Sequence, residues 1–259
     1  MTTSLFPRAL EIDATPSAPG PIPFSRLVQV EWAKATDTRA ARWLLALVAL
    51  STAGLMLVPV LAPTSFDQTY ASYLGVAAVG LAILLPVVAI LMLTGEWSQR
   101  SVMTTFTQEP RRIRVLNAKL TASMVLGVGA AVFGGVVTAA GLGLASASGR
   151  ALGANLTVGA VTGYLLFVLL NVLAGVAYGA LLQSSASAIA ASFAVPAAFA
   201  ILGTKFTLVS DWIDMSTTWN WVLENDWAGH VAQILFSIVF WVAVPLAAGF
   251  VRTIRRDVG

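Results

Sequence analysis

The chain has 259 residues, of which 58% are hydrophobic and 10% charged, and its mean hydropathy is +0.83. An ordinary soluble domain carries roughly 25% charged residues, so this composition excludes one and indicates a membrane protein. The net charge of +3 follows from membrane topology, which leaves no call for a nucleic-acid partner, and the absence of cysteine excludes disulfides and thiol chemistry.

Residues 1–23 contain Pro7, Pro16, Pro19, Pro21 and Pro23 but no apolar core of signal-peptide length, and read as a disordered cytoplasmic tail. The next segment, 24–42, is predicted as an amphipathic helix at the inner membrane surface. At about 100° per residue, Phe24, Leu27, Val28, Trp32 and Ala35 gather in an arc of roughly 140°, with Arg26, Lys34 and Asp37 outside it and Arg39 beyond. Glu31 intrudes on the apolar arc. It is expected to meet a basic group on the adjacent cytoplasmic loop or on a partner.

Uncharged windows then run from Trp43 to Phe66, Gln68 to Gly95, Leu120 to Gly149, Ala151 to Thr204 and Trp227 to Val251. A bilayer crossing needs roughly 20 apolar residues, and the fourth window, 54 residues long with a polar Gln183-Ser184-Ser185 turn inside it, holds two. Six helices are predicted within a transmembrane domain spanning 43–251, near 43–62, 73–94, 121–147, 158–182, 186–204 and 230–251. A β-barrel would show alternating segments of about ten residues, which these continuous windows lack. Helices remain, because backbone groups in lipid must be satisfied within the segment.

Thirteen of the fifteen basic residues lie before the first span, in the loop at 95–120, or in the tail at 252–259; only Arg150 and Lys205 fall on the other side. Both termini and that loop are therefore expected in the cytoplasm. None of the six spans carries a carboxylate, Lys or Arg, which weighs against an ion-coupled transporter. No phosphate-binding loop, Ser/His/Asp grouping or metal-ligand cluster is legible, and the sole histidine, His230, reads as interfacial. No catalytic, cofactor or metal residue is assigned.

The third span repeats small residues every four positions at Gly127, Ala131, Gly135, Ala139, Gly143 and Ala147. The fourth carries a similar row through Gly159, Gly163, Phe167, Asn171, Gly175, Gly179 and Gln183. Such rows suit close helix packing, and Asn171 is expected to hydrogen-bond between helices or to line a pathway. Pro86, Pro196 and Pro245 interrupt spans and free backbone carbonyls. The extracellular loop 205–229, with Trp212, Trp219, Trp221 and Trp227, is expected to form a re-entrant or surface helix anchored by tryptophan at the interface.

The loop at 95–120 interleaves Trp97, Val102 and Phe106 with Arg100 and threonines, followed by Pro110, Arg111, Arg112 and Arg114. Composition alone equally allows a basic loop that only fixes topology. "VEWAKATDTRAARWLL", with Glu31, Lys34, Arg39 and Trp43, resembles the E-x-x-K-x-x-x-x-R motif before the first span of ABC-2 type transport permeases, the membrane subunits of bacterial ABC exporters. "GEWSQRSVMTTFTQEPRRIRVLNAKL" resembles the loop after their second span at Glu96, Ser101, Pro110, Arg112 and Lys119, with Arg100 where many members have glycine.

The resemblance implies a type V exporter-like, all-α permease fold with a cytoplasmic coupling helix. It also implies a plasma-membrane location and no catalysis by this chain. Two P-loop ABC ATPase subunits would carry the ATP and Mg2+, and a second permease chain would complete a homodimer or heterodimer. Glu96, Trp97, Arg100, Ser101, Phe106, Pro110, Arg111, Arg112 and Arg114 would then couple to the ATPase, with the arginines exposed for docking. The cargo would be a hydrophobic or amphipathic drug, lipid or peptide. A secondary transporter or channel, or a membrane scaffold without transport, are the alternative readings.

Overall fold

The computed structural model describes residues 22–98, 105, 107, 109, 111–153 and 156–255. Helix α1 (Phe24–Asp37) precedes α2 (Arg39–Leu61), α3 (Tyr70–Ser98), α4 (Arg112–Ala147), α5 (Val158–Leu182) and α6 (Ser185–Gly203). Two short helices, α7 (Thr207–Trp212) and α8 (Met215–Leu223), lead to α9 (Val231–Ile238), which continues through a π-helical turn at Val239–Ala243 into α10 (Val244–Arg255). Six of these stretches are long and apolar enough to span a membrane: α2, α3, α4, α5, α6 and the continuous Val231–Arg255. No strand is present among the described residues; the β-type pairing there is an isolated bridge between Thr69 and Gly153.

The expected interfacial segment ends sooner than its predicted limit at residue 42. Thr38 is extended (φ −77°, ψ 146°) and its Oγ1 accepts from Ala41 N at 3.1 Å, so it caps the first span, and Arg39 becomes that span's first residue. At the other extreme, α4 begins at Arg112 rather than near Thr121. Hydropathy sees only the part of a helix in hydrocarbon, whereas the backbone ladder continues into the polar zone for as long as nothing interrupts it.

Helix α5 is the axis of the bundle, packing against α3, α4, α6, α8, α10 and the π turn. Its most apolar stretch is 61% buried, that of α3 is 56% buried and that of α6 only 6%. The π turn lies just before Pro245, whose missing N–H leaves the carbonyl of Trp241 without its helical donor, and the widened turn absorbs the mismatch. Trp241 Nε1 donates to Ile213 O at 2.6 Å and ties this turn to the α7–α8 connection.

The small-residue row predicted on α4 winds off the core. Gly127 and Ala131 are buried, but Gly135 is half-buried with open space beside it, and Ala139, Gly143 and Ala147 are exposed. A strict four-residue step turns about 40° per step. The buried stripe instead runs Gly127, Ala131, Gly134, Thr138, Gly141 and Ala145, alternating steps of four and three, the spacing of heptad packing.

Three arginines satisfy carbonyls at the C-terminal ends of helices, where the last turn has no intrahelical donor. Arg112 Nη1 donates to Thr253 O (3.0 Å) and Ile254 O (3.2 Å) of α10, and Arg252 Nη1 donates to Leu181 O of α5 (2.7 Å). Arg150, one of two basic residues on the acidic side of the topology map, donates to Pro59 O and Val60 O at the end of α2. Its place there is explained by a carbonyl-rich helix end.

Candidate functional site

Glu31, which interrupts the apolar arc of α1, stands at the centre of that helix's buried face together with Ala35. Phe24 and Trp32, by contrast, are exposed, the latter at 37%. The reason is a partner 88 residues away. Lys119 Nζ, on α4, donates to Glu31 Oε2 at 2.6 Å, and Lys34 Nζ donates to Glu31 Oε1 at 2.7 Å. Glu96, near the end of α3, joins through its Oε1 to Lys34 (2.5 Å) and Lys119 (3.3 Å).

Two ammoniums and two carboxylates thus form a closed, net-neutral ring that clamps three helices at the face carrying the described ends of the chain. The Lys119 and Glu31 side chains are 4% and 6% exposed. Neither could be buried alone, since an unpaired ion in that setting costs several kcal/mol. Mutual neutralisation is what lets α1 lie against the bundle. A cavity of about 280 Å3 borders the ring, lined also by Leu44, Val88 and Met92.

Burial alone would lower the pKa of the Lys34 ammonium. The hydrogen bonds and Coulombic attraction of Glu31 and Glu96 more than offset this and hold it above its ordinary value of 10.5. A lysine whose folded pKa is raised contributes stability that is complete below its unfolded pKa and is lost as pH rises through the folded one. The thermal midpoint in detergent should therefore hold between pH 7 and about 10 and fall above that. The fall should be shallower in Lys34→Met; identical profiles would remove Lys34 from the linkage.

The loop between α3 and α4 is fastened to this ring. Thr105 Oγ1 donates to Glu96 Oε1 at 3.1 Å, and the buried Glu109 accepts from Arg114 Nη1 at 2.7 Å and from the backbone N–H of Arg111. Arg114 Nη2 also donates to Ile22 O, just ahead of α1. Two of the arginines expected to be exposed are half-buried: Arg112 caps α10 and Arg114 closes the loop, because each finds carbonyl or carboxylate acceptors within the chain. Arg111 is exposed. Trp97 faces the bundle beside Val115, Gly179 and Thr253. Arg100, Ser101, Val102, Phe106 and Pro110 lie outside the described residues, as do 1–21 of the N-terminal tail and 256–259 of the basic tail.

Asn171 is buried, yet its Nδ2 donates to Phe167 O of its own helix at 2.9 Å, so the expected bond between helices is not the one it makes. It lines a cavity between α3, α5, α6 and α8. Gly175, four residues on, lies where a Cβ would fall 2.4 Å from Pro86 O. The tryptophans of 205–229 do not act alike. Trp227 is exposed at 38%, Trp221 stacks on His230 at 3.9 Å, and Trp219 is buried in the core, because α8 folds onto α5 instead of lying flat on the interface.

Reading one residue at a time missed the assembly of the ring and the contacts of Thr105 and Glu109. The available signal was charge balance: Glu31 and Glu96 are two acidic residues in segments where basic residues predominate, and Lys34 and Lys119 match them one for one. Among the described residues no group of three or more His, Asp or Glu could hold a metal ion. The ring links α1, α3 and α4 through paired charges. No protein-family model matches the chain, and no curated protein sequence matches it.

Proposed function

We propose that the chain is the permease subunit of an ABC exporter, moving a hydrophobic or amphipathic cargo out of the cell with ATP hydrolysed by separate P-loop subunits. The observation that carries this reading is the ion ring. It joins the interfacial helix, the end of the second span, the start of the third and, through Thr105, the loop between them. A push on that loop is then delivered to two spans and the interfacial helix together. The four ring residues are also positions at which the chain resembles ABC-2 permeases.

In this reading the loop and both termini are cytoplasmic, and two chains enclose the pathway. The sparsely buried α6 and the outer face of α4 are available to the second copy. On the opposite face, a cavity of about 640 Å3 lined by Phe66, Asp67, Tyr164, Asn220 and Glu224 would serve the exit.

The test is purification of the tagged protein in mild detergent from its native host, with mass spectrometry of what accompanies it. A stoichiometric P-loop ATPase is expected; its reproducible absence from intact preparations would overturn the reading. Arg111→Glu should then reduce ATPase recovery about tenfold, the worth of one charge-assisted contact, without changing the thermal midpoint. Unchanged recovery would remove Arg111 from the docking surface.

A further inference from the structure

The cavity that Asn171 lines has a volume of about 250 Å3 and lies within the span region, between α3, α5, α6 and α8. Its wall is largely aromatic and aliphatic, with Phe167, Tyr178, Phe193 and Trp219 among the lining residues, and no charged side chain contributes. Two of its residues are exceptional. Tyr178 Oη and Trp219 Nε1 are the buried side-chain polar atoms left without a hydrogen-bond partner among the described residues, although Tyr178 is 7% exposed and Trp219 1%. Buried donors are nearly always satisfied, and leaving one unmade costs about 1–3 kcal/mol.

The other polar side chains of this wall each donate at least one hydrogen bond within the chain. Asn171 Nδ2 is bonded to Phe167 O, Ser192 Oγ to Ile189 O, and Ser216 Oγ to Asp214. Tyr178 and Trp219 are thus the lining residues whose donors, a phenol and an indole N–H, make no bond at all, and they lie in an uncharged aromatic setting. Both prolines of the neighbouring spans belong to it as well: Pro86 and Pro196 deprive the carbonyls of Ala82 and Ser192 of their helical donors, and those two residues also line the cavity.

We propose that this cavity is a binding site for the polar end of a neutral amphiphile, with a carbonyl, ester or ether oxygen accepting from Tyr178 and Trp219 and an apolar body against the aromatic rings. A carboxylate or phosphate would arrive with a charge that nothing in the wall neutralises, and a cation would meet no carboxylate, so the charged classes are disfavoured by desolvation. The volume is slightly below the 300–1,000 Å3 typical of sites that enclose a whole drug-sized ligand. It suits one end of a molecule whose remainder lies between helices. The ester region of a membrane lipid and a small neutral ester or ketone share this chemistry.

Photolabelling of the full chain in detergent with benzophenone, itself a neutral aromatic ketone, tests the site without any ATPase, so its failure is separate from that of the transport reading. Saturable adducts are expected within 167–178, 192–196 and 215–219. Tyr178→Phe removes only the spare hydroxyl. It should weaken half-maximal labelling about tenfold while leaving the thermal midpoint unchanged or higher, a divergence that a merely structural role would not produce. Ser192→Phe, which fills the cavity from α6, should abolish those adducts in a protein that still melts cooperatively.

Competition by dioleoylglycerol would identify the occupant as lipid; competition by benzyl benzoate and not by the diglyceride would identify it as a small neutral amphiphile. Labelling that does not saturate, that spreads over the lipid-facing residues, or that is unaltered in a folded Tyr178→Phe protein would overturn the proposal, including the case in which the cavity holds only water.

Discussion

Replacing Lys119 with Met should lower the stability of the protein by about 3–5 kcal/mol, the cost of breaking a buried ion pair from one side. The substitution keeps the length and apolar stem of the lysine, so the effect isolates the charge. Glu31 loses its 2.6 Å partner and Glu96 its 3.3 Å one, and both carboxylates are left facing Lys34, which is 43% exposed and can turn to solvent. The thermal midpoint in detergent should fall on the order of 10 °C at 2–4 °C per kcal/mol.

The companion variant Glu31→Gln should also destabilise. The double Glu31→Gln/Lys119→Met should be more stable than Lys119→Met alone, because it removes charge from both sides of the ring. Strictly additive losses would show that the two residues touch without being coupled. If the chain works as an ATPase-driven permease, the double variant should remain folded and still lose transport, since it cuts the ring's charged links from α4 to α1 and to α3, which carry the stroke into the third span.

How much of this was visible in the sequence differs by residue, and the differences have physical causes. The six spans are legible because a span must exclude charge over a length set by the bilayer, and uncharged windows of that length have no other common origin. Glu31 was legible as an anomaly that should meet a basic group of the loop at 95–120 or of a partner, and Lys119 of that segment is such a group, but which residue it would be was not legible. Periodicity shows which face a residue occupies, but a partner 88 positions away is set by tertiary packing. Only the resemblance placed Glu31, Lys34, Glu96 and Lys119 in one frame.

The partners of Arg112 and Arg114 were not legible because side-chain type shows a capacity for hydrogen bonding and not its target. Arg112 finds the carbonyl end of α10, whose position depends on the whole bundle. Trp219 misled for a related reason. Tryptophan favours interfaces in general, but Asp214 starts α8 by accepting from Ser216 N at 3.0 Å, and the helix so directed buries the indole against α5 and α9.

The same gap between pattern and packing makes two glycines with the same apparent role behave oppositely. Gly175→Ala should destabilise by at least about 3 kcal/mol, at or beyond the upper end of ordinary overpacking, whereas Gly135→Ala should be neutral or stabilise by up to about 1 kcal/mol through helix propensity. At Gly175 the new Cβ would lie 2.4 Å from Pro86 O and 2.9 Å from Pro86 Cα. Carbon–oxygen contacts are comfortable only beyond roughly 3.3 Å. Both obstructing atoms are backbone, so no rotamer can relieve the clash, and α5 must move off α3, the two most buried spans in the bundle.

Gly135 meets nothing within 4 Å and is flanked by Val132 and Val136, which are 65% and 62% exposed, so a methyl there projects away from the core. Thermal melting of the two variants in the same detergent decides the matter. Equal damage would mean that the buried stripe of α4 follows the four-residue row through Gly135 and not the heptad row through Gly134 and Thr138. A large loss at Gly175 with none at Gly135 is what helices held by backbone approach require, because in lipid that approach replaces the hydrophobic drive between spans.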